Sequence, residues 1–206
     1  FLKPKDIGTD SDRALLLDFQ ATLEIKPEKA IKLEKDALAQ IENITADNAR
    51  LVSNLHANLG GLYRMNGHPD LAREHMEKSI SLLDQFNLLH INDSIPQIAN
   101  YAMFLTEQQE PERGISELQK LSGIIKEYHS DHCLDYAKVQ ETLGTIYLMT
   151  ANLPQAKTHF KRAFKIYEKI WADEPEMIEA KYQEIQELYP QIGFCIGKNL
   201  SGLLTK

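Results

Sequence analysis

The sequence has little of what several classes of protein require. It contains only two cysteines, Cys133 and Cys195, which is too few for a disulfide framework and fits a reducing compartment. No apolar run approaches the length of a membrane-spanning helix, and the first residues lack the apolar stretch of a signal peptide. We therefore expect a cytoplasmic protein with no membrane partner.

Positive charge is also scarce. The chain has 23 Lys and Arg against 30 Asp and Glu, which gives a net charge of −7, and it has no basic stripe interleaved with aromatic residues. Because nucleic acids are bound through clustered cations, we expect no nucleic-acid partner. The glycines form no phosphate-binding loop, since Gly60-Gly61 is not followed by Lys and Ser or Thr.

Clusters of residues that could perform catalysis or bind a metal are few. The densest cluster of potential ligands is His129-x-x-His132-Cys133, which would bind Zn²⁺ only with a fourth ligand from elsewhere. No Cys-x-x-Cys or His-x-x-x-His partner accompanies it, so a solvated loop explains the cluster better. We find no catalytic constellation. The sequence thus predicts a non-enzymatic protein with no catalytic residues, no metal site and no cofactor.

A pattern that returns every 42 residues is the main positive feature of the chain. It consists of a small residue followed by a second one twelve residues later, at Gly60 and Ala72, Ala102 and Gly114, and Gly144 and Ala156. A Gly inside a helix costs about 1 kcal/mol relative to Ala, so a recurring small residue indicates a steric demand. A repeat of this length predicts stacked helical hairpins.

The best-formed copy of the pattern predicts how one hairpin packs. Leu143 and Tyr147 are four residues apart and share one face of a first helix, and Phe160 lies four residues after Ala156 on a second helix. We expect Gly144 and Ala156 to let the two helices approach closely, with Phe160 filling the space beside them.

The segment from Leu143 to Ala163 reads Leu-Gly-x-x-Tyr and then Ala-x-x-x-Phe-x-x-Ala, and it resembles the tetratricopeptide repeat. The ordinary repeat has 34 residues, and the longer period is similar to the repeats of kinesin light chains. The resemblance covers roughly residues 9–190. It implies an all-α fold, a right-handed superhelical solenoid of about five antiparallel helix pairs, and a non-catalytic module that binds a protein or peptide partner.

The phase of the repeat predicts the domain organisation. We expect an N-terminal extension at 1–8 and a single repeat domain at 9–206, with units at about 9–46, 47–92, 93–131 and 132–173 and a degenerate unit or cap at 174–206. Asp18 replaces the small residue in the first unit, as is common in terminal repeats that face water. The apolar stripe from Ile192 to Leu203 is a surface through which the chain could oligomerise.

The resemblance also implies a binding surface, because the first helix of each pair lines the concave face in this family. The predicted peptide-binding residues are Asn54, Asn58, Gly61, Arg64 and Met65 in the second unit, Asn100 and Met103 in the third, and Lys138, Thr142, Thr145 and Met149 in the fourth.

Asn58 and Asn100 occupy equivalent positions, and in many grooves of this family an Asn there hydrogen-bonds the backbone of an extended peptide. Leu16 and Thr142 stand at this position in the flanking units. An amide can satisfy both the N–H and the C=O of a passing peptide bond, and the methionines could supply adaptable apolar pockets. In the alternative interpretation the two Asn cap neighbouring carbonyls and the Met residues fill gaps between helices.

Other functions are compatible with the same fold. One is a ligand- or peptide-sensing regulatory domain of a larger bacterial signalling protein, and another is a structural scaffold segment. Capture of an acidic chaperone C-terminus would need adjacent cations. Arg64 and Lys138 are present, but Glu107 and Glu141 oppose such a site.

Overall fold

The computed structural model describes residues 8–188, and this part of the chain contains helices and no strand. Its nine helices are α1 (Asp10–Thr22), α2 (Pro27–Leu38), α3 (Ala49–Met65), α4 (Pro69–Gln85), α5 (Ser94–Glu107), α6 (Pro111–Tyr128), α7 (Leu134–Met149), α8 (Leu153–Ile170) and α9 (Pro175–Leu188). The predicted all-α fold is confirmed over this range. The apolar stripe from Ile192 to Leu203 lies outside the described residues, as does most of the predicted N-terminal extension.

The chain forms two compact units, which divide between Phe104 and Leu105. In the first unit α1 packs on α2, α2 on α3, and α3 on α4, and in the second α6 packs on α7, α7 on α8, and α8 on α9. Short turns join the partners of each hairpin, so the paired helices are antiparallel. None of the helices between residues 8 and 188 is both long enough and apolar enough to span a bilayer. The single domain at 9–206 stays a prediction.

Proline starts the second helix of the hairpins. Pro27, Pro69 and Pro111 are the first residues of α2, α4 and α6, and Pro154 is the second residue of α8. The first N–H of a helix has no intrahelical acceptor, and the fixed φ of proline already suits the helix, so proline is well tolerated there. These turns are therefore encoded locally, at the period of the repeat.

The turn inside each hairpin also repeats its backbone conformation. Three residues spaced by 42 have positive φ, namely Gly67 (76°), Gln109 (67°) and Ala151 (58°). In each case the next N–H donates to a carbonyl five residues earlier, from His68 to Tyr63 at 2.9 Å, from Glu110 to Leu105 at 2.8 Å, and from Asn152 to Tyr147 at 2.7 Å. This is the Schellman arrangement, and it ends the first helix at the same place in these three copies.

Two of the recurring small residues, the glycines of α3 and α7, are required by close packing. A Cβ added to Gly60 would lie 2.6 Å from Cγ of Met76, and one added to Gly144 would lie 2.8 Å from Cδ2 of Phe160. Phe160 is fully buried, and Met76 and Ala156 are nearly so. The predicted close approach at Gly144 is confirmed, and each bulky partner lies sixteen residues after its glycine.

A tyrosine–histidine stack supports two of the hairpins. The two copies are 84 residues apart, with ring centroids 5.4 Å apart for Tyr63 and His75 and 5.3 Å for Tyr147 and His159. In each copy Nδ1 of the histidine hydrogen-bonds the first helix, at 2.9 Å from Nδ1 of His56 or Oε1 of Gln140. Burial lowers the pKa of His56 to about 4, with a smaller effect from the neighbouring His75, so His56 is neutral at pH 7.

Replacing Gly144 with Ala tests whether the glycine is present for steric reasons. We expect a loss of about 1–3 kcal/mol, because the new Cβ would overlap the ring of Phe160. Gly123 is the matched control: it lies inside α6 and an added Cβ meets nothing within 4 Å. Gly123→Ala should therefore gain about 1 kcal/mol from helix propensity. Urea unfolding of both variants measures the difference, and equal shifts would contradict the steric explanation.

The repeated turn makes a second, reciprocal prediction. Ala151→Gly should raise the free energy of unfolding by about 1 kcal/mol, because Gly removes the Cβ penalty of the left-handed conformation. Gly67→Ala should lower it by a similar amount, since no atom lies near the added Cβ and only the φ opposes the change. Thermal unfolding followed by circular dichroism checks both. The same sign for the two variants would be inconsistent with a shared turn.

Candidate functional site

A groove in the first unit brings together several of the predicted peptide-binding residues. We call it the first-unit groove. It has a volume of about 200 Å³ and is lined by Ala57, Gly61, Arg64 and Met65 of α3, Met76 and Ser79 of α4, and Gln97 and Asn100 of α5. Of the predicted residues, Gly61, Arg64, Met65 and Asn100 therefore share one cavity. Met65 is 82% exposed, so this apolar side chain has almost no cover.

The two equivalent asparagines have different surroundings. Nδ2 of Asn58 donates to Oδ1 of Asp18 at 2.9 Å and to Oε1 of Glu34 at 3.1 Å, so both hydrogens of its amide are used inside the protein. Asn100 is exposed, and among the described residues its side chain has no hydrogen-bond partner. The amide of Asn100 is therefore available to a ligand. The amide of Asn58, in contrast, already donates hydrogen bonds to two carboxyl groups.

The two carboxyl groups bound by Asn58 interact with each other, and Glu34 is buried while Asp18 is half-buried. Glu34 is 1% exposed and its Oε2 has no hydrogen-bond partner in the described part of the chain. Burial raises the pKa of Glu34 to about 8, and the nearby charge of Asp18 contributes to the rise, against the opposing hydrogen bond from Asn58. Glu34 is consequently protonated at pH 7.

The repeat explains why Asn100 lacks such partners. One period after Asp18 and Glu34 the chain has Gly60 and Met76. The packing position that holds two carboxyl groups in the first hairpin thus holds a glycine and a methionine in the next one. Asn100 and Met76 both line the first-unit groove, so the neighbour of Asn100 at this repeat position is apolar.

Asn54 belongs to a polar network within the first unit. Nε2 of Gln97 donates to Oδ1 of Asn54 at 2.6 Å, and Ser53 donates to Oε1 of Gln97 at 2.8 Å. Nδ2 of Asn54 donates to Asp93 at 3.3 Å, and Asp93 also accepts from Nε of Arg50 at 2.6 Å. Asn54 therefore connects α3 to the start of α5, and its amide has partners on both atoms.

A second cavity lies in the second unit, and we call it the second-unit pocket. Its volume is about 290 Å³, and its lining residues are Leu134, Lys138, Tyr167, Trp171, Met177, Ala180, Lys181 and Glu184. The rings of Tyr167 and Trp171 are stacked with centroids 4.8 Å apart and planes 9° from parallel. Most of the lining is apolar, and Lys138 is the one predicted site residue that lines it.

Ion pairs at this pocket link α7 to α9. Nζ of Lys181 lies 2.8 Å from Oε1 of Glu141 and 3.0 Å from Oε2 of Glu184. Burial disfavours the charged form of Lys181, but the two carboxylates outweigh this effect and raise its pKa. The hydroxyl of Tyr167 donates to Oε2 of Glu141 at 2.6 Å, and burial together with that carboxylate raises the pKa of Tyr167. The pocket is thus held by a paired cation and a neutral tyrosine.

Comparison with known proteins identifies the repeat. Residues 94–169 match the tetratricopeptide repeat family model. This segment therefore contains tetratricopeptide repeats. None of the curated proteins compared with the chain matches it. The predicted resemblance to the tetratricopeptide repeat is confirmed. The repeats of this family are generally protein–protein interaction modules.

Solved structures share the fold at low sequence identity. BtubC (BKLC) from P. vanneervenii is 20% identical with a TM-score of 0.64 over 77% of this chain, which spans 62% of that protein. The nearly identical TPR-like repeats of a Podosopora anserina kinesin light chain are 13% identical with a TM-score of 0.69 over 82% of both chains. MamA is 16% identical with a TM-score of 0.56, covering 80% of this chain and 82% of its own. At these identities the likeness shows the fold alone.

The remaining predicted residues of the tetratricopeptide repeats do not line the two cavities. The hydroxyls of Thr142 and Thr145 donate to carbonyls four residues earlier in α7, those of Lys138 and Glu141. Met149 is 46% exposed at the end of α7, and Met103 is partly buried on α5. Their role in peptide binding stays a prediction.

The histidine–cysteine cluster lies at the start of α7. Sγ of Cys133 accepts from the backbone N–H of Tyr136 at 3.4 Å and donates to the carbonyl of Ser130 at 3.1 Å, so it caps the helix. The ring of His132 bonds Asp131. Over residues 8–188 no group of three or more His, Cys, Asp and Glu side chains is arranged to hold a metal ion.

Sequence reasoning missed several residues that line the cavities. Gln97 and Ser79 reach the first-unit groove, and Trp171, Met177 and Lys181 reach the second-unit pocket. The stripe that Trp171 forms with Tyr167 predicts a core position for the indole. The indole of Trp171 does stack on Tyr167, but it also lines the second-unit pocket. The position of Trp171 at the end of a second helix is the signal that could have found it.

The buried carboxyl group of Glu34 predicts a pH dependence of stability. The pKa of Glu34 is raised from its unfolded value to about 8, so its contribution is fully present below about pH 4.5 and is lost as the pH rises through 8. Glu34→Gln keeps a neutral donor beside Asp18 at every pH. We therefore expect the variant to match the wild type near pH 5 and to be more stable near pH 9.

Melting temperatures measured from pH 5 to 9 check this expectation. Glu28→Gln is a matched control, because Glu28 lies exposed in the first turn of the same helix. A gain at alkaline pH that is equal in the two variants, or absent from Glu34→Gln, would show that Glu34 ionises normally.

Proposed function

We propose that the protein is a non-catalytic interaction module that binds a peptide segment of a partner protein along the first helices of its repeats. The first-unit groove is the anchoring site. Its binding groups are the amide of Asn100 and the apolar side chains of Met65 and Met76. The tetratricopeptide fold supports this function in general, and the unused amide of Asn100 beside an apolar cavity supports this location.

The amide of Asn100 suits a peptide backbone. It offers a carbonyl acceptor and two N–H donors, so it can bond both polar groups of one peptide unit. Because no described residue uses these groups, binding a peptide would break no hydrogen bond within that part of the protein. Each hydrogen bond would contribute about 1 kcal/mol, which orients a peptide but is too little for useful affinity alone.

Apolar anchoring supplies the rest of the affinity. Met65 is exposed and Met76 is buried at the bottom of the groove, and the unbranched thioether chains can adjust to side chains of different shape. Gly61 lines the same cavity with open space where a Cβ would lie, so a peptide backbone can approach α3 closely. The groove therefore fits an extended peptide that inserts one aliphatic side chain.

Selection from a displayed library of random peptides tests the groove against many side-chain combinations at once. Peptides selected on the whole chain should bind the Asn100→Ala variant about five to thirty times more weakly, since one or two hydrogen bonds of about 1 kcal/mol are lost. The melting temperature should not change, because Asn100 is exposed and unpartnered among the described residues. Fluorescence anisotropy and thermal unfolding give the two measurements.

Two further variants separate binding from folding. Gln85→Ala changes an exposed amide at the end of α4 outside the groove and should alter neither quantity. Asn58→Ala should lower the melting temperature, because it removes the N–H donors to the carboxyl groups of Asp18 and Glu34. Selected peptides that bind Asn100→Ala as tightly as the wild type, or a library that yields no binder, would overturn the proposed site.

A further inference from the structure

A cavity in the second unit is lined by several positive side chains, although the chain as a whole is negatively charged. It has a volume of about 360 Å³ and lies among α6, the loop before α7, and α8. Four cations line it, namely Lys126 of α6 and Arg162, Lys165 and Lys169 of α8. A protein with a net charge of −7 thus gathers four positive side chains around one concavity. We call it the basic cavity.

The four cations are not neutralised by neighbouring carboxylates. In the part of the chain that the structure describes, none of them has a carboxylate oxygen within 4.0 Å, whereas Lys138 and Lys181 of the same unit each form ion pairs. Among those residues the acidic side chain on the cavity wall is Asp131, and its carboxylate bonds the ring of His132. The positive potential of the cavity is therefore not cancelled locally.

The walls hold part of this cluster in place. Nζ of Lys126 lies 5.2 Å from the centroid of the Tyr136 ring, a cation–π contact that restrains an otherwise flexible side chain. Nη1 of Arg162 donates to Oε1 of Gln140 at 3.4 Å. Tyr136 and Ile166 are buried and line the same cavity. The cations thus share the lining of this hollow with buried, largely apolar side chains.

We propose that the basic cavity binds a phosphomonoester group. A phosphomonoester carries close to two negative charges at pH 7 and three oxygens that accept charge-assisted hydrogen bonds from Lys and Arg. The guanidinium of Arg162 can bind two of these oxygens at once. The volume leaves space for the side chain or small molecule that carries the phosphate. This site is separate from the first-unit groove and does not depend on the proposed function.

The arrangement favours one compact anion over an extended one. Nucleic acids and anionic membranes are bound through many cations spread along a surface, and the affinity grows with the number of phosphates that are neutralised. Here the cations converge on one hollow. Lys157 and Lys161 of α8 are exposed but do not line it. A single dianionic group matches the number and placement of the charges.

Titration of the ¹⁵N-labelled whole chain with O-phosphoserine and with a Gly-Gly-phosphoserine-Gly-Gly peptide tests the site. Both should shift the amide signals around Tyr136 and Ile166, and the unphosphorylated peptide should not. Lys165→Ala/Lys169→Ala should weaken binding at least tenfold. Lys157→Ala/Lys161→Ala removes the same charge from the same helix and should change it less than about twofold, as expected for screened surface charges.

The outcomes separate the sources of the phosphate and the competing explanations. Much tighter binding of the peptide than of phosphoserine would identify a phosphorylated partner protein, and equal binding would identify a small phosphomonoester. Equal weakening by the two double variants would show a non-specific charge effect and overturn the proposal. So would an absence of shifts at millimolar phosphoserine, or shifts caused only by a single-stranded oligonucleotide.

Discussion

The close approach of the two helices of a hairpin is the constraint on which the rest of the structure depends. It places the residue at the small position directly against the residue sixteen positions later, and no added Cβ fits at Gly60 or Gly144. The Pro and left-handed residues of the turn bring the chain back at the same point in successive copies. The hairpin is therefore fixed by a local turn and by one tightly packed pair, and both features recur at the 42-residue period.

The same constraint decides the chemistry of the first-unit groove. In the first hairpin the packed pair is Asp18 and Glu34, and two carboxyl groups can share a buried site only if one is protonated and a donor is supplied. Asn58 is that donor. In the next hairpin the pair is Gly60 and Met76, which needs no donor, and the Asn100 amide has no hydrogen-bond partner among the described residues. Residues at the same repeat position thus have a structural role in one copy and, in our proposal, a binding role in another.

The second unit contains two cavities with different linings, one largely apolar and one basic. Aromatic and apolar side chains line the pocket between α7 and α9, where Lys181 is paired by Glu141 and Glu184. The cations that line the basic cavity of α6 and α8 have no ion pair within residues 8–188. Because these four cations lie beyond 4.0 Å of any described carboxylate oxygen, a chain with a net negative charge still builds one positive hollow. The two cavities are suited to different ligands.

The amino-acid sequence by itself determined the hairpins, since their signals are local: the recurring small residues, Pro27, Pro69 and Pro111, and apolar faces of period 3.6. It also predicted that Gly61, Arg64, Met65 and Asn100 belong to one surface. Only the tertiary structure decided that the amides of Asn54 and Asn58 bond other residues of the protein, that Trp171 lines a pocket, and that Lys126 and Arg162 line one cavity. Those outcomes depend on side chains that are distant in sequence and converge when helices pack. The hydrogen bonds and ion pairs of these side chains depend on neighbours that the local sequence pattern does not predict.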